Sequence, residues 1–263
     1  LAPAERALAM LPPSYSYGLS IINSHLNAGA CLVLRNTGVL SPDFAKVILE
    51  HEVTSISGVP YIYQMLHRTG FPKQSFPSLR SLTQAGGRMD DRLINVFGQL
   101  AVEKGWKFYV MYGQTEAAPR ISFVPPERLL DKVGSIGIAI PGGKLYVDPL
   151  DDELVYEGPN VMLGYAESRV DLARPDQLKG VLRTGDLARV DGDGYFYVTG
   201  RKKRFVKLAG NRVGLDEVEQ KLQSALHVPA SVGGRDERMV IWLEGKDDHL
   251  AEAAKLLLAE QYG

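Results

Sequence analysis

Cysteine is almost missing from this chain: Cys31 is the single one in 263 residues. One thiol excludes an internal disulfide and suits a reducing, cytoplasmic compartment. Its setting between Leu26 and Leu34 reads as that of a buried small apolar residue rather than a nucleophile. Excess charge is also missing, with 30 basic and 31 acidic side chains and a net charge of -1. No bulk field therefore recruits nucleic acid or an anionic membrane, and partners must be recognised locally. No run approaches the ~20 apolar residues of a membrane span. No signal-peptide pattern is visible either, although the chain opens with Leu1 rather than Met, which leaves a preceding targeting segment open. His25, His51, His67, His227 and His249 are scattered without the short paired spacings of zinc ligands. His25, on an apolar stretch, reads as a satisfied core or helix residue. There is no Gly-x-Ser-x-Gly elbow for a serine nucleophile, and no internal repeat or low-complexity tract.

What the chain does have is a core-forming composition, 45% hydrophobic over a length with room for more than one domain. Its first part reads as α/β. Pro42 and Asp43 precede a helix with Phe44, Val47 and Ile48 on its apolar face. A strand over 53–57 and a helix around 61–67 follow, then a strand over 81–85 and a helix over 90–104 with Leu93, Val96, Phe97 and Leu100 on one face. A strand over 107–111 ends this run. Helices alternating with strands predict a parallel sheet. After Pro126 the texture changes to short strands, over 154–157, 187–190 and 195–199, with an Asp-Gly hairpin turn at Asp191, Gly192, Asp193 and Gly194. Beyond about Lys203 come a helix carrying Leu215, Val218, Leu222 and Leu226, a strand over 239–243 and a helix over 248–262, which make a small α+β domain.

Three stretches carry chemistry. Met111, Tyr112, Gly113, Gln114, Thr115 and Glu116 follow directly on a strand, at the end where open α/β sheets place their ligands. Tyr112 can stack a base, Gly113 lets the chain approach a ligand, Thr115 can hydrogen-bond a phosphate and Glu116 can meet a magnesium ion. Ordinary strand and turn chemistry accounts for the same six residues. Arg183, Thr184, Gly185 and Asp186 lie between the Gly180 turn and the strand over 187–190, where a carboxylate can accept both hydroxyls of a ribose or simply cap a turn. Gly200, Arg201, Lys202, Lys203 and Arg204, then Lys207, Gly210, Val213, Glu217, Val218 and Glu219, form the third. Its basic run reads on charge alone as a solvated face or a nucleic-acid patch.

Taken together and in this order, these stretches resemble the adenylate-forming superfamily of acyl-CoA synthetases, peptide-synthetase adenylation domains and luciferases. The resemblance extends over nearly the whole chain: Pro12 to Leu19, Gln84-Ala85-Gly86-Gly87-Arg88, Gly137, Ala139 and Pro141, and Gly158, Pro159, Val161, Met162, Gly164 and Tyr165 all match its motifs. It implies that Gly86, Gly87 and Arg88 form the adenine loop. Tyr112, Gly113, Gln114 and Thr115 would hold AMP, Asp186 and Arg201 its ribose, and Glu116 the Mg²⁺. It further implies that Lys203 is the hinge of a mobile small domain and that Lys207 enters the site for the second half-reaction. Gly210 would line the pantetheine arm and Tyr15 gate the thiol channel. Val59, Tyr61 and Tyr63, with Met111, are the candidate wall of an acyl pocket, and packing explains them nearly as well.

The resemblance also marks what is missing. The Ser/Thr/Gly-rich triphosphate loop ending in lysine and the late catalytic lysine are absent, and 146–153 and 227–238 look short. The expectation is the rear of a large α/β domain with a β-rich subdomain (1–201) and part of a small C-terminal α+β domain (202–263), both belonging to a longer parent. That parent would form acyl-AMP from a carboxylic acid and ATP, then a thioester with coenzyme A or with the phosphopantetheine of an acyl-carrier protein. The fragment alone is expected to bind AMP without adenylating. A non-catalytic AMP-binding module and a nucleic-acid binder using Arg201 to Arg204 are the rival readings, the latter disfavoured by the balanced charge.

Overall fold

The structure, a computed structural model, describes residues 1–35, 38–208, 211–235, 238–245 and 248–262. The chain packs as two compact units. The first comprises Leu1–Tyr146, Val155–Leu182 and Val190–Tyr197, and the second Val147–Leu154, Arg183–Arg189 and Val198–Gly263.

The first unit alternates strand and helix: β1 (Arg6–Leu8), α1 (Ser16–Asn27), β2 (Cys31–Val33), α2 (Phe44–Glu50), β3 (Ser55–Gly58), α3 (Pro60–Arg68), β4 (Ser81–Gln84), α4 (Asp91–Lys104), β5 (Lys107–Tyr112), β6 (Ser122–Val124) and β7 (Ile138–Ala139). The seven strands form one sheet in the order β2-β1-β3-β4-β5-β6-β7. As the alternation predicts, β1 to β5 pair in parallel. At β6 and β7 the direction reverses, because the 113–121 connection is shorter than the dozen or so residues a parallel crossover needs.

Side chains leave β5 on alternate faces. Phe108 and Val110 join Ile48 of α2, Tyr63 and Leu66 of α3 and Phe97 of α4 in the main core. Met111 packs instead against the smaller cluster of Ala7, Tyr17, Ile21 and Ala85, to which α1 contributes. Helix α4 shows how local sequence sets an element. Asp90 accepts hydrogen bonds from the Arg92 and Leu93 amides at 2.9 and 3.4 Å, an N-cap worth ~1 kcal/mol. Ile94, Phe97, Leu100 and Ala101 then form its buried stripe. Leu93 and Val96, expected on that face, are only partly buried at its margin.

Cys31 corrects an expectation: it is exposed. It begins β2, the edge strand, which has a neighbour on one side only, so the apolar letters around it do not enclose it. His25 is buried as expected, with Nδ1 2.8 Å from the Ile21 carbonyl oxygen and Nε2 3.8 Å from Glu5.

Four further strands, β8 (Lys144–Val147), β9 (Glu153–Glu157), β10 (Val181–Val190) and β11 (Phe196–Arg201), make a second sheet in the order β11-β10-β9-β8. β10 starts well before the expected 187–190, so Arg183-Thr184-Gly185-Asp186 lies inside a strand and not ahead of one. These polar residues conceal the strand because their side chains bond neighbours rather than water: Thr184 Oγ1 donates to the Leu154 carbonyl at 2.8 Å. The Asp-Gly turn forms as expected, with Asp191 Oδ1 accepting from the Asp193 and Tyr195 amides at 3.0 and 2.9 Å.

The second unit continues as a β12 (Phe205–Leu208) and β13 (Asn211–Gly214) hairpin, then α5 (Leu215–Leu226), an antiparallel pair β14 (Ala230–Arg235) and β15 (Arg238–Leu243), and α6 (Asp248–Tyr262). Its core joins Val206, Val213, Leu215, Val218, Leu222 and Val232. The fold is thus α/β with a β-rich part and a small α+β segment. Among the described residues no helix is long and apolar enough to cross a membrane.

Candidate functional site

In the first unit the site residues gather at the C-terminal ends of β4 and β5. Tyr112 ends β5, and a 3₁₀ turn over Thr115–Ala117 follows. Gly113 is needed for packing against the chain itself. A Cβ there would stand 2.0 Å from the Pro119 carbonyl oxygen and 2.8 Å from the Arg120 nitrogen, far inside van der Waals contact, so the chain itself approaches closely here. Ser16 and Thr115 share a hydroxyl hydrogen bond of 2.9 Å, which ties the start of α1 to the turn. Gln114 Nε2 donates to the Tyr112 hydroxyl at 3.2 Å.

Glu116 is held twice. Its carbonyl accepts the Met162 amide at 2.8 Å, and its Oε1 accepts the Tyr165 hydroxyl at 2.6 Å. That bond to a carboxylate raises the Tyr165 pKa above the usual phenol range. A single carboxylate suits magnesium, which keeps several waters and takes substrate phosphates rather than an all-protein cage.

Asn160 was missed by the sequence reading although its neighbours were singled out. Its Nδ2 donates to the Ala117 and Arg120 carbonyls at 2.7 and 2.9 Å, and the Tyr156 hydroxyl donates to its Oδ1 at 2.7 Å. The side chain therefore closes the loop that follows Thr115. An asparagine between Gly158-Pro159 and Val161 looks like one more turn residue, so only the loop it bridges reveals its task.

The glycine turn after β4 places Gly86 beside Tyr15 and Val59: a Cβ on Gly86 would meet Tyr15 Oη at 2.2 Å and Val59 Cγ1 at 3.1 Å. Gln84 Nε2 donates to the Gly87 carbonyl at 2.9 Å. Arg88 pairs with Asp91 at 3.7 Å across half-exposed side chains, a contact worth little. Tyr15 is half-buried and meets Tyr17 edge-on at 6.3 Å. Tyr17 is buried against Thr83 and Ser57. Burial pushes its pKa up to about 12 against the opposing hydrogen bonds.

The candidate acyl wall separates. Tyr61 is 60% exposed on α3. Tyr63 belongs to the core, its hydroxyl donating to the Thr83 carbonyl at 2.8 Å and its ring packed on Phe97 and Phe108. At helical spacing the two tyrosines point to different faces, so one cannot share the other's surface.

In the second unit Asp186 is 6% exposed, and its Oδ1 lies 3.4 Å from Arg201 Nε, while the Arg201 side chain is 69% exposed. A buried carboxylate facing a guanidinium that reaches solvent can take up a diol from one side while its charge stays balanced. Around it Arg183 bonds Asp148, Asp151 and Glu153 at 2.7, 3.0 and 2.8 Å. Lys202 Nζ bonds Asp151 and Glu153 at 2.6 and 2.9 Å. Burial would raise the Glu153 pKa, but the bonds from Lys202, the Gly185 amide and Arg183 outweigh it and hold the carboxyl below its usual range.

Lys203 is exposed. Lys207 lies in β12 opposite Arg212, and Gly210 lies outside the described residues. The structure thus brings together Tyr15, Val59 and Gly86, then Ser16 and Thr115, and, in the other unit, Asp186 and Arg201.

Known proteins resemble this chain over most of its length. Feruloyl-CoA synthase of Amycolatopsis sp is 31% identical over 239 residues, 84% of this chain and 46% of the relative. The 2-succinylbenzoate–CoA ligase of Bacillus cytotoxicus is 31% identical over 242 residues, 88% of this chain and 48% of the relative. Among solved structures, o-succinylbenzoate CoA synthetase from Bacillus subtilis in complex with its acyl-adenylate intermediate matches with a TM-score of 0.79 at 26% identity, over 98% of this chain and 55% of that one. The chain spans about half the length of the curated relatives it matches. With the AMP-binding enzyme model matching residues 1–166, the chain belongs to the AMP-binding enzyme family.

Proposed function

We propose that this chain supplies the AMP-holding and thiol-transfer parts of an acid–thiol ligase, which converts a carboxylic acid and ATP into acyl-AMP and pyrophosphate and then passes the acyl group to coenzyme A. The observation that carries the proposal is the buried Asp186 facing the exposed Arg201 at 3.4 Å, a diol acceptor beside a phosphate-compatible cation. Support for coenzyme A as the thiol comes from the relatives, which are named as CoA synthases and ligases.

In this reading Asp186 accepts the ribose hydroxyls, and Arg201 and Thr115 meet the phosphate. Tyr112 stacks the base, whose edge lies along Gly86, Gly87 and Arg88, with Gly113 and Gln114 shaping the turn. Glu116 would hold Mg²⁺, which would offset phosphate charge. Tyr15, Val59 and Tyr61 border the acyl group and Gly210 the pantetheine arm. Lys203, ahead of 204–263, is the hinge about which Lys207 is carried into the site. Catalysis is mostly positioning and electrostatics.

The test is a pyrophosphate-release panel on the intact protein with aliphatic, aryl and amino acids, coenzyme A added or withheld. Release with one acid class, and a thioester only when coenzyme A is present, is the expected result. Release that yields thioester only with a carrier protein would move the thiol to that carrier. No release with any acid would leave a nucleotide-binding module.

A further inference from the structure

Asp186 and Arg201 are each held through the residue next to them. The Gly185 amide donates to Glu153 Oε1 at 2.9 Å, Lys202 Nζ donates to Glu153 Oε2 at 2.9 Å, and the Lys202 amide donates to the Gly185 carbonyl at 2.8 Å. These bonds close a ring through Gly185, Glu153 and Lys202, the immediate neighbours of the two clamp residues. Glu153 is the member that spans the ring with one side chain, and it is 4% exposed.

We infer that Glu153 is a positioning residue for the ribose clamp: it fixes the Gly185 turn and the Lys202 side chain together, and so sets the Asp186–Arg201 separation.

Chemistry supports this at each bond. Gly185 has φ +75, a conformation in which an L side chain is strained, so the turn needs an anchor to stay fixed within β10. A carboxylate that accepts a backbone amide and a lysine at once makes charge-assisted bonds, which are shorter and stronger than neutral ones. Removing Lys202 would leave the buried Glu153 carboxylate short of a cation, whereas Lys202 and Arg183 themselves reach solvent. Arg183 bonds the same carboxylate from a third direction at 2.8 Å, which leaves Glu153 little freedom to swing away. Glu153 bonds Gly185 and Lys202, the chain neighbours of Asp186 and Arg201, so in this reading it acts through those two residues. Its sequence setting, Asp151-Asp152-Glu153-Leu154, carries no sign of this, because an acidic turn ahead of an apolar strand is ordinary surface chemistry.

The inference rests on the proposed nucleotide reading, and the test separates the two. Affinities of the intact protein for AMP and for 2′,3′-dideoxyAMP are measured by calorimetry for wild type, Glu153→Gln and Glu153→Asp. Wild type should prefer AMP. Glu153→Gln should cut that preference about tenfold, the scale of a lost charge-assisted bond, with a smaller loss for dideoxyAMP, which keeps the phosphate that Arg201 meets. Glu153→Asp, which keeps the charge, should recover part of the preference. Should Glu153→Gln fail to fold, Lys202→Met opens the same ring from its other side and should show the same selective loss. Equal loss for both nucleotides, or an unchanged preference, overturns the positioning role alone. A wild-type protein that binds neither nucleotide, or does not distinguish them, overturns the ribose-clamp reading and the positioning role with it.

Discussion

In the first unit the 112–116 turn is held mostly by neutral hydrogen bonds and close packing, Ser16 to Thr115, Asn160 to two carbonyls and Gly113 against Pro119, with the bond from Tyr165 to the Glu116 carboxylate as its charged contact. In the second unit the chain neighbours of the Asp186–Arg201 pair belong to a charged network, with Asp148, Asp151 and Glu153 meeting Arg183 and Lys202. The two regions therefore answer to different perturbations. Neutral packing responds to changes of volume and is nearly indifferent to pH. A charged ring responds to protonation, and where it is exposed also to salt.

The sharpest way to break this contrast is through the core behind β5. Phe97 packs against Tyr63, Phe71 and Phe108, so Phe97→Ala should lower unfolding free energy by about 3–5 kcal/mol. Urea denaturation at low and high salt should give the same loss; a strongly salt-dependent loss would contradict the neutral-packing account. Gly113→Ala should cost about 1–3 kcal/mol, since the added methyl must displace the Pro119 backbone. A variant as stable as wild type would show that this loop yields freely.

The second unit should respond to acid. Glu153, Asp151 and Asp148 all sit below their ordinary pKa values: in Glu153 bonds from Lys202, Gly185 and Arg183 overcome burial, in Asp151 the bond from Lys202 leads, and in Asp148 the Leu150 amide and then Arg183 do. A depressed carboxylate stabilises the fold above its unfolded pKa, and that contribution disappears as pH falls through the folded value. Lys202 has the opposite sign. Its raised pKa gives a contribution that is complete below the unfolded lysine value and is lost only at strongly alkaline pH. Amide protection relative to the intrinsic exchange rate should therefore fall at Gly185 and Asp186 below about pH 4, while protection at Tyr112 and Gln114 changes little. Equal loss of protection at both places would erase the distinction.

The smallest expected effect concerns Cys31. Exposed at the head of an edge strand, it should react with a thiol reagent in the folded chain without denaturant, and alkylation should shift stability by less than about 0.5 kcal/mol, as for other surface changes. Protection of the thiol would place it back in the interior that its apolar neighbours suggested.

Legibility followed the kind of force at work. Helix α4 was readable because Asp90 and an apolar stripe at helical spacing act within a few residues of each other. The strand β10 was half-missed, since no local pattern reveals the partners that satisfy its polar residues: Arg183, Thr184 and Gly185 find theirs on β9 and its preceding turn, and Asp186 finds Arg201 on β11. Tyr61 and Tyr63 looked equivalent in sequence, yet one is exposed and the other buried, a choice made by which helix face meets α4 and β5. Asn160 and Glu153 left no mark at all, because a side chain that bridges segments is defined by what it reaches.

By itself the sequence determined the alternation of helix and strand, the parallel core with its nucleotide motif at a strand's end, and the identities of Thr115, Glu116, Asp186 and Arg201 as candidate ligands. Periodicity and turn chemistry are local, and local causes are written in consecutive residues. Tertiary structure alone decided that Gly113 serves its own backbone, that Cys31 meets solvent, and that Glu153 ties Gly185 to Lys202. Those outcomes depend on distances between residues 6 to 49 positions apart in the chain, and such distances exist only once the core has closed.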